Sequence, residues 1–379
     1  MLTPYLTFFL QGKQDGQETS TRYCTFSSEG LAKPEAFGIP EQYQQEWFEV
    51  MQEGFALSKA VWEELDRNVA ANPALARIPA DATRKEAARM KKNYGLDRAR
   101  YTLPLAALTN FGLIMTGREW ADTLKYLDAS PIPEQREIAH TVRPMLEEFL
   151  PHLMKHARET PMTTAFMQEF FGRGAAYIRE HGVNTEPLPD EVFTSVQLPE
   201  HEGFTSSELS LEARFANAFR GKQNRYDIPR GFPEKVHVAV YWPSMAIAEA
   251  RDINRQRPCQ KDTLLAPHGF YMAPEMREAI TRLGLKSRYE QLQARRATLL
   301  SALAHSTAPH SYAGALFLGD QTPFEMHTNA AHMTYVLELR TGRGVHFRYD
   351  EHMRQAFESF QKQLPAWTKH IALGTGEPE

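Results

Sequence analysis

Cysteine is almost absent from this chain of 379 residues, with only Cys24 and Cys259. Two thiols build no disulfide framework and no metal finger, so a reduced compartment, the cytoplasm, is the expected setting. Long apolar runs are missing too, which removes a membrane-spanning helix, and Met1–Leu10 lacks the basic start and cleavage site of a signal peptide. A net charge of −4 provides no global basic field. With no aromatics interleaved among the arginines, nucleic acid is not an expected partner. Gly-x-Gly-x-x-Gly, the phosphate loop and Gly-x-Ser-x-Gly do not occur, leaving dinucleotide-fold, kinase and hydrolase readings without a motif. Among 14 histidines, His152 and His156 stand four apart but without a carboxylate ligand beside them. They read as an exposed helix face, and no metal is expected.

What is present suggests a repeat. At 42% hydrophobic content the chain can bury two ordinary cores. Thr109 and Thr322, like Leu124 and Leu337, lie 213 residues apart, and Leu150-Pro151 recurs as Leu364-Pro365. The expected organisation is therefore a first module over 1–181, an exposed Pro/Glu/Thr/Ser-rich linker over 182–207, and a second module over 208–379. Apolar spacing of three and four predicts helices at 41–72, 85–92, 103–127, 134–157 and 163–181 in a mainly helical first module. In the second, Lys235–Trp242 alternates as a strand that Pro243 ends, and a helix from Ser244 would carry Arg251 and Arg255 on one face. Further helices are expected at 274–283, 289–305, 323–340 and 349–363. The fold class is α+β, with long helices packed on a mixed or antiparallel sheet.

Arg251, Arg255 and Arg257 concentrate three guanidiniums within seven residues, a pattern suited to phosphate oxygens or ring carbonyls. The same residues could form a solvated face paired with Glu249 and Asp252. Glu18-Thr-Ser20-Thr-Arg22-Tyr23 could hold a phosphate through Ser20 and Arg22 with Tyr23 as a wall, or could be a capping turn. Arg340, at a helix end, and Arg100, before Leu103-Pro104, could each answer a helix dipole instead of a ligand.

Together these segments resemble the flavin-dependent thymidylate synthases, whose signature is Arg-His-Arg-x-x-Ser followed by Glu-x-Ser-x-Arg-Tyr. Ala-Arg-x-x-Leu-Pro, Asn-x-Arg at a helix start and an arginine at that helix's end come later. Glu18, Ser20, Arg22 and Tyr23 fit the second signature, Ala99-Arg100-Tyr-Thr-Leu103-Pro104 the third, and Arg118 the Asn-x-Arg arginine, with Thr116 for asparagine. Leu10-Gln11-Gly12 and Leu127 stand where arginines belong, and the first copy is expected to lack its opening sheet and helix. Arg255-Gln256-Arg257-Pro-Cys-Gln260 fits the first signature with two replacements, and Asn329 and Arg340 fit the helix start and end. Ala313 replaces the arginine of Ala-Arg, and Ser-x-Arg-Tyr is missing from this half.

The losses are complementary, so one composite site between the modules is expected. The resemblance implies reductive methylation of dUMP to dTMP, or C5 alkylation of a related pyrimidine nucleotide, with methylenetetrahydrofolate as carbon donor, NADPH as reductant and FAD as hydride carrier. Arg340 would polarise the pyrimidine as the catalytic residue. Glu18, Ser20, Arg22, Tyr23, Arg100 and Asp252 would bind the nucleotide. Arg255, Gln256, Arg257, Gln260, Asn329 and Arg118 would hold FAD. Because the family's sites form between subunits of a tetramer, a homodimer of this chain would give a pseudo-tetramer. The competing expectation is a degenerate homologue that binds nucleotide or flavin, or serves as a scaffold, without turnover.

Overall fold

A computed structural model describes residues 1–10, 15–19, 28–200 and 209–374. The first half opens with α1 (Leu2–Leu10) and β1 (Asp15–Glu18), followed by the long α2 (Glu41–Ala71) and α3 (Arg84–Ala99). A 3-10 turn at Arg100–Thr102 leads to β2 (Phe111–Ile114), α4 (Gly117–Asp128), α5 (Pro133–Glu147), α6 (Pro151–Met154) and α7 (Pro161–His181). The second half contains β3 (Phe193–Gln197), α8 (Leu211–Ala218), α9 (Phe232–Lys235), β4 (His237–Ala246), α10 (Ile247–Asn254), β5 (Gln260–Thr263) and β6 (Gly269–Phe270). After α11 (Pro274–Arg282), α12 (Lys286–Ala304) and a 3-10 segment at Pro309–Ala315 come β7 (Asp320–Asn329), α13 (Ala330–Arg340), α14 (Phe347–Gln363) and α15 (Pro365–Thr368). The sheets are antiparallel: β1 pairs with β2, and a larger sheet runs β3-β4-β7-β5 with β6 also on β7.

Local chemistry explains most boundaries. In α2, Trp47, Val50, Met51, Phe55, Val61, Leu65 and Val69 recur at helical spacing and are buried. The helix expected at 103–127 is confined to α4 because Thr116 and Glu119 form a reciprocal capping box that starts it at Gly117. Upstream of that cap the chain is extended and includes β2. The helix expected at 134–157 is divided at Pro151, with Leu150 non-helical before it. Pro243 does not end its strand. β4 passes it through a bulge between Trp242 and Met245 and continues to Ala246. Residues 323–329, expected as the start of a helix, belong instead to the central strand β7, whose alternating burial from Phe324 to Thr328 is that of a sheet.

The halves do not form separate cores. One apolar cluster joins Met1, Leu6 and Trp47 to Trp242, Phe317 and Trp367, and smaller clusters lie under α4–α6 and beside α2. Within the stretch read as a linker, β3 lies along β4, and Leu188 donates its backbone N–H to Gln321 Oε1 at 2.8 Å. At the start of the first half, α1 touches α10.

Residues 213 apart meet at the centre of the molecule. Pro104 and Phe317 form an antiparallel bridge, flanked by Leu105 N–H to Leu316 O and Leu318 N–H to Leu103 O, both 2.8 Å. The same spacing recurs in the strands. Asp15 opposes Ile114 and Glu18 opposes Phe111, while Gln260 opposes His327 and Thr263 opposes Phe324. Each second strand then runs into a corresponding helix, α4 or α13.

Candidate nucleotide and flavin site

Helix α10 follows directly from β4, so its residues are set by the sheet and emerge at the seam between the halves. Arg251 is buried there and forms an ion pair with Glu18 at the end of β1, with side-chain exposures of 9% and 5%. It is not the solvated residue that a charge run alone would suggest. Asp252, one residue on, is the hub of the cluster. Its carboxylate pairs with Arg255 and stands 4.0 Å from Arg100 Nη1, while its backbone carbonyl accepts from Arg340 Nη2 at 2.8 Å. With its amide oxygen turned toward Arg340, Gln256 accepts from Nη2 and Nε at 2.7 and 3.0 Å. Tyr349 places its ring 5.5 Å from the Arg340 guanidinium.

The first half thus contributes Glu18 and Arg100, and the second contributes Arg251, Asp252, Arg255, Gln256 and Arg340. Burial, together with the Arg340 and Arg251 cations, pushes Arg255 down to about 10. Guanidiniums crowded like this favour an anion. Arg100 Nε and Arg251 Nε are buried without a hydrogen-bond partner, as is Asn254 Oδ1. Arg100 also donates Nη2 to Ala248 O at 3.3 Å, which ties it to the start of α10.

Other expected site residues lie around this cluster or away from it. Arg257 pairs with Asp15 at 2.7 Å and donates to Gly16 O at 3.2 Å, anchoring β1. Arg118 and Gln260 are brought together across the halves, in a cavity of about 750 Å³ that Phe9, Tyr126, Phe166, Lys125 and Lys261 also line. Asn329 caps the far end of α13, accepting from His332 N–H at 2.8 Å, roughly 16 Å along the helix from Arg340. The structure does not bring Asn329 to the arginine cluster. Ser20, Arg22 and Tyr23 lie outside the described residues.

Sequence reasoning missed Lys261, whose ammonium donates to Asn254 O and whose burial pushes it down to about 8. It also missed Tyr101 and Glu249, both fully buried, which share a hydrogen bond of 2.9 Å. In the sequence Glu249 reads only as a partner for the arginines. Tyr101 stood next to Arg100 in plain view but carried no motif.

Residues 15–152 match the family described as thymidylate synthase complementing protein. The stretch similar to that family holds β1, Glu18, Arg100 and Arg118. No curated protein matches the chain. Among the described residues, no helix is long and apolar enough to cross a membrane.

Proposed function

We propose that this chain is an FAD-dependent thymidylate synthase-like enzyme with one composite site, formed where its two halves meet. The observation that carries this reading is the convergence of Arg100 with Asp252, Arg255 and Arg340. Guanidinium forks match phosphate oxygens and pyrimidine carbonyls, and the unpartnered Nε atoms leave donors for them. The substrate is dUMP, the carbon donor methylenetetrahydrofolate and the reductant NADPH. Arg100, with Ser20 and Arg22, binds the phosphate end, and Arg340 polarises the ring, stabilising charge that develops on it.

In the cavity of about 750 Å³ that holds Arg118 and Gln260, the cations of Arg118, Lys125 and Lys261 and the walls of Tyr126 and Phe166 support a planar, anionic cofactor, with the carboxylates of Glu119 and Asp122 on the same lining. FAD, when bound, supplies the hydride carrier. Arg118, Gln260, Arg255, Gln256 and Arg257 would hold it. Matching registers in β1–β2 and β5–β7 support descent of the halves from one duplicated module. Under that correspondence, Leu127 and Ala313 take the places of Arg340 and Arg100, and both are buried among apolar side chains. The second site is therefore closed, and two chains pair to restore a tetramer-like assembly.

One observation favours the second reading, a nucleotide-binding homologue without turnover: Asp252 places a carboxylate among the arginines that a ligand must use. Absorbance of the purified protein after FAD incubation, followed by rescue of a thymidine-requiring strain, separates the readings. A flavin spectrum with rescue supports the enzyme. A flavin spectrum without rescue supports the binding homologue, and no spectrum in either the native or the FAD-incubated protein refutes the enzyme.

A further inference from the structure

Tyr101 and Glu249 lie one step behind the arginine cluster and touch no solvent. Tyr101 follows Arg100 in the chain, and Glu249 precedes Arg251 and Asp252 on α10, so their hydrogen bond joins the two halves beside the composite site. Glu249 Oε1 accepts from the phenol, whereas Oε2 is buried without a hydrogen-bond partner. An ionised carboxylate seldom leaves an oxygen bare in the interior, because the lost hydration is not replaced. Burial accordingly pushes Glu249 up to about 7, against the lowering effects of the Arg348 and Arg100 charges and the Tyr101 hydrogen bond.

The charged and titratable groups facing it are few. Arg100 and Tyr101 come from the 3-10 turn and Arg348 from α14, with Asp190 acting from behind Arg348. Arg348 is already committed to Asp190 at 2.5 Å and Glu351 at 2.7 Å, and it stacks over Tyr271, which in turn meets Tyr101 edge-on at 4.7 Å. Arg100 is the cation that a ligand can draw away. A bound dianion that engages Arg100 removes part of the counter-charge holding Glu249 ionised, and the carboxylate then takes a proton.

We infer that Tyr101 and Glu249 are positioning residues for the composite site, and that Glu249 takes up a proton when an anion binds to Arg100. This rests on the proposed nucleotide site, yet it has a readout that needs no ligand. Infrared difference spectra of the ligand-free protein between pH 6 and pH 8 should show loss of a protonated-carboxyl stretch that is absent from E249Q. Calorimetric titration of dUMP, and of pyrophosphate as the simpler anion, in buffers of different ionisation heat should show more proton uptake in the wild type than in E249Q, the phosphate's own titration being common to both. Wild-type affinity should weaken about threefold to tenfold from pH 6 to pH 8 relative to that of E249Q. Y101F should weaken binding at every pH, while E249Q, which keeps an oxygen for the phenol, should restore affinity relative to E249L.

An infrared difference unchanged by E249Q overturns the inference whatever the ligand proves to be. So does binding of dUMP and pyrophosphate with the same proton uptake in the wild type as in E249Q, and in that case the nucleotide site still stands. Failure of both ligands to bind while the infrared band is present refutes the nucleotide reading and the linkage to it together.

Discussion

Replacing Asp252 with asparagine tests the composite site at its hub. The carboxylate forms an ion pair with Arg255 and lies 4.0 Å from Arg100, so under the proposed function it would compete with a ligand's negative charge. Two unit charges at that distance interact by about 4 kcal/mol at an effective dielectric constant of 20. Arg255 is 31% exposed, and water and salt screen part of this, leaving about 1–3 kcal/mol of competition for an incoming anion. D252N should therefore bind pyrophosphate about tenfold to a hundredfold more tightly, with a steeper salt dependence, while its melting temperature falls because the guanidiniums repel. Calorimetry with pyrophosphate and dUMP at two ionic strengths distinguishes the parts. A gain for pyrophosphate but not for dUMP would mean that Asp252 also contacts the nucleoside. Unchanged or weaker pyrophosphate binding in a folded D252N protein would refute the view that these arginines converge on an anion site.

Four further outcomes are expected. E18Q breaks the buried pair with Arg251 and should lower stability by about 3–5 kcal/mol in urea titrations, because a guanidinium is left buried without its counter-charge. D320A should cost a similar amount, since Asp320 takes two bonds from the fully buried Arg296 at 2.7 and 2.8 Å and one from the Phe317 N–H at 2.7 Å. Lys261, pushed down to about 8, should react with amine-acylating reagents at pH 7.5 ahead of surface lysines, with FAD protecting it; peptide mapping reads the order. Glu249 binds its proton more tightly when folded than its ordinary value of 4.5, so its contribution to stability is present at low pH and is lost as pH rises toward about 7. The full effect is about 3 kcal/mol, and stability curves of E249Q should lack this decline.

The sequence revealed the partners of the site more clearly than the elements that carry them. Arg100, Arg255 and Arg340 could be grouped because each sits in a recognisable motif, and the fold brings all three to Asp252. Phe324–Thr328 was misread because Pro323 resembles a helix start, although alternating Phe, Met and Thr with Glu and His was the signal of a strand. Thr116 and Glu119 carried the capping box that shortens α4, hidden within apolar residues that continue the helical spacing upstream. Glu249 could not be recognised at all. Nothing local distinguishes a buried carboxylate from one paired with the arginine two residues on, since that depends on Tyr101 arriving from 148 positions away.

The seam between the halves bears on the proposal of a single composite site. Around the Pro104–Phe317 bridge the two halves pack into one core. Leu124 and Leu337, which correspond under the 213-residue spacing, are both fully buried and hold α4 and α13 in equivalent places. Three positions after each, the halves diverge: Leu127 enters the small cluster under α4–α6, whereas Arg340 reaches Asp252 and Gln256. Burying a leucine there contributes about 1.5–3 kcal/mol, whereas a guanidinium must have partners or a ligand to be tolerated. The arginine cluster thus requires anions, met in part by Glu18 and Asp252. Arginine restored at Leu127 alone should destabilise the protein by at least the apolar contribution it removes, with no gain in nucleotide stoichiometry, because Ala313 leaves the opposite wall without a cation. Calorimetry that found two nucleotides per chain in either L127R or the wild type would contradict the closure of the second site.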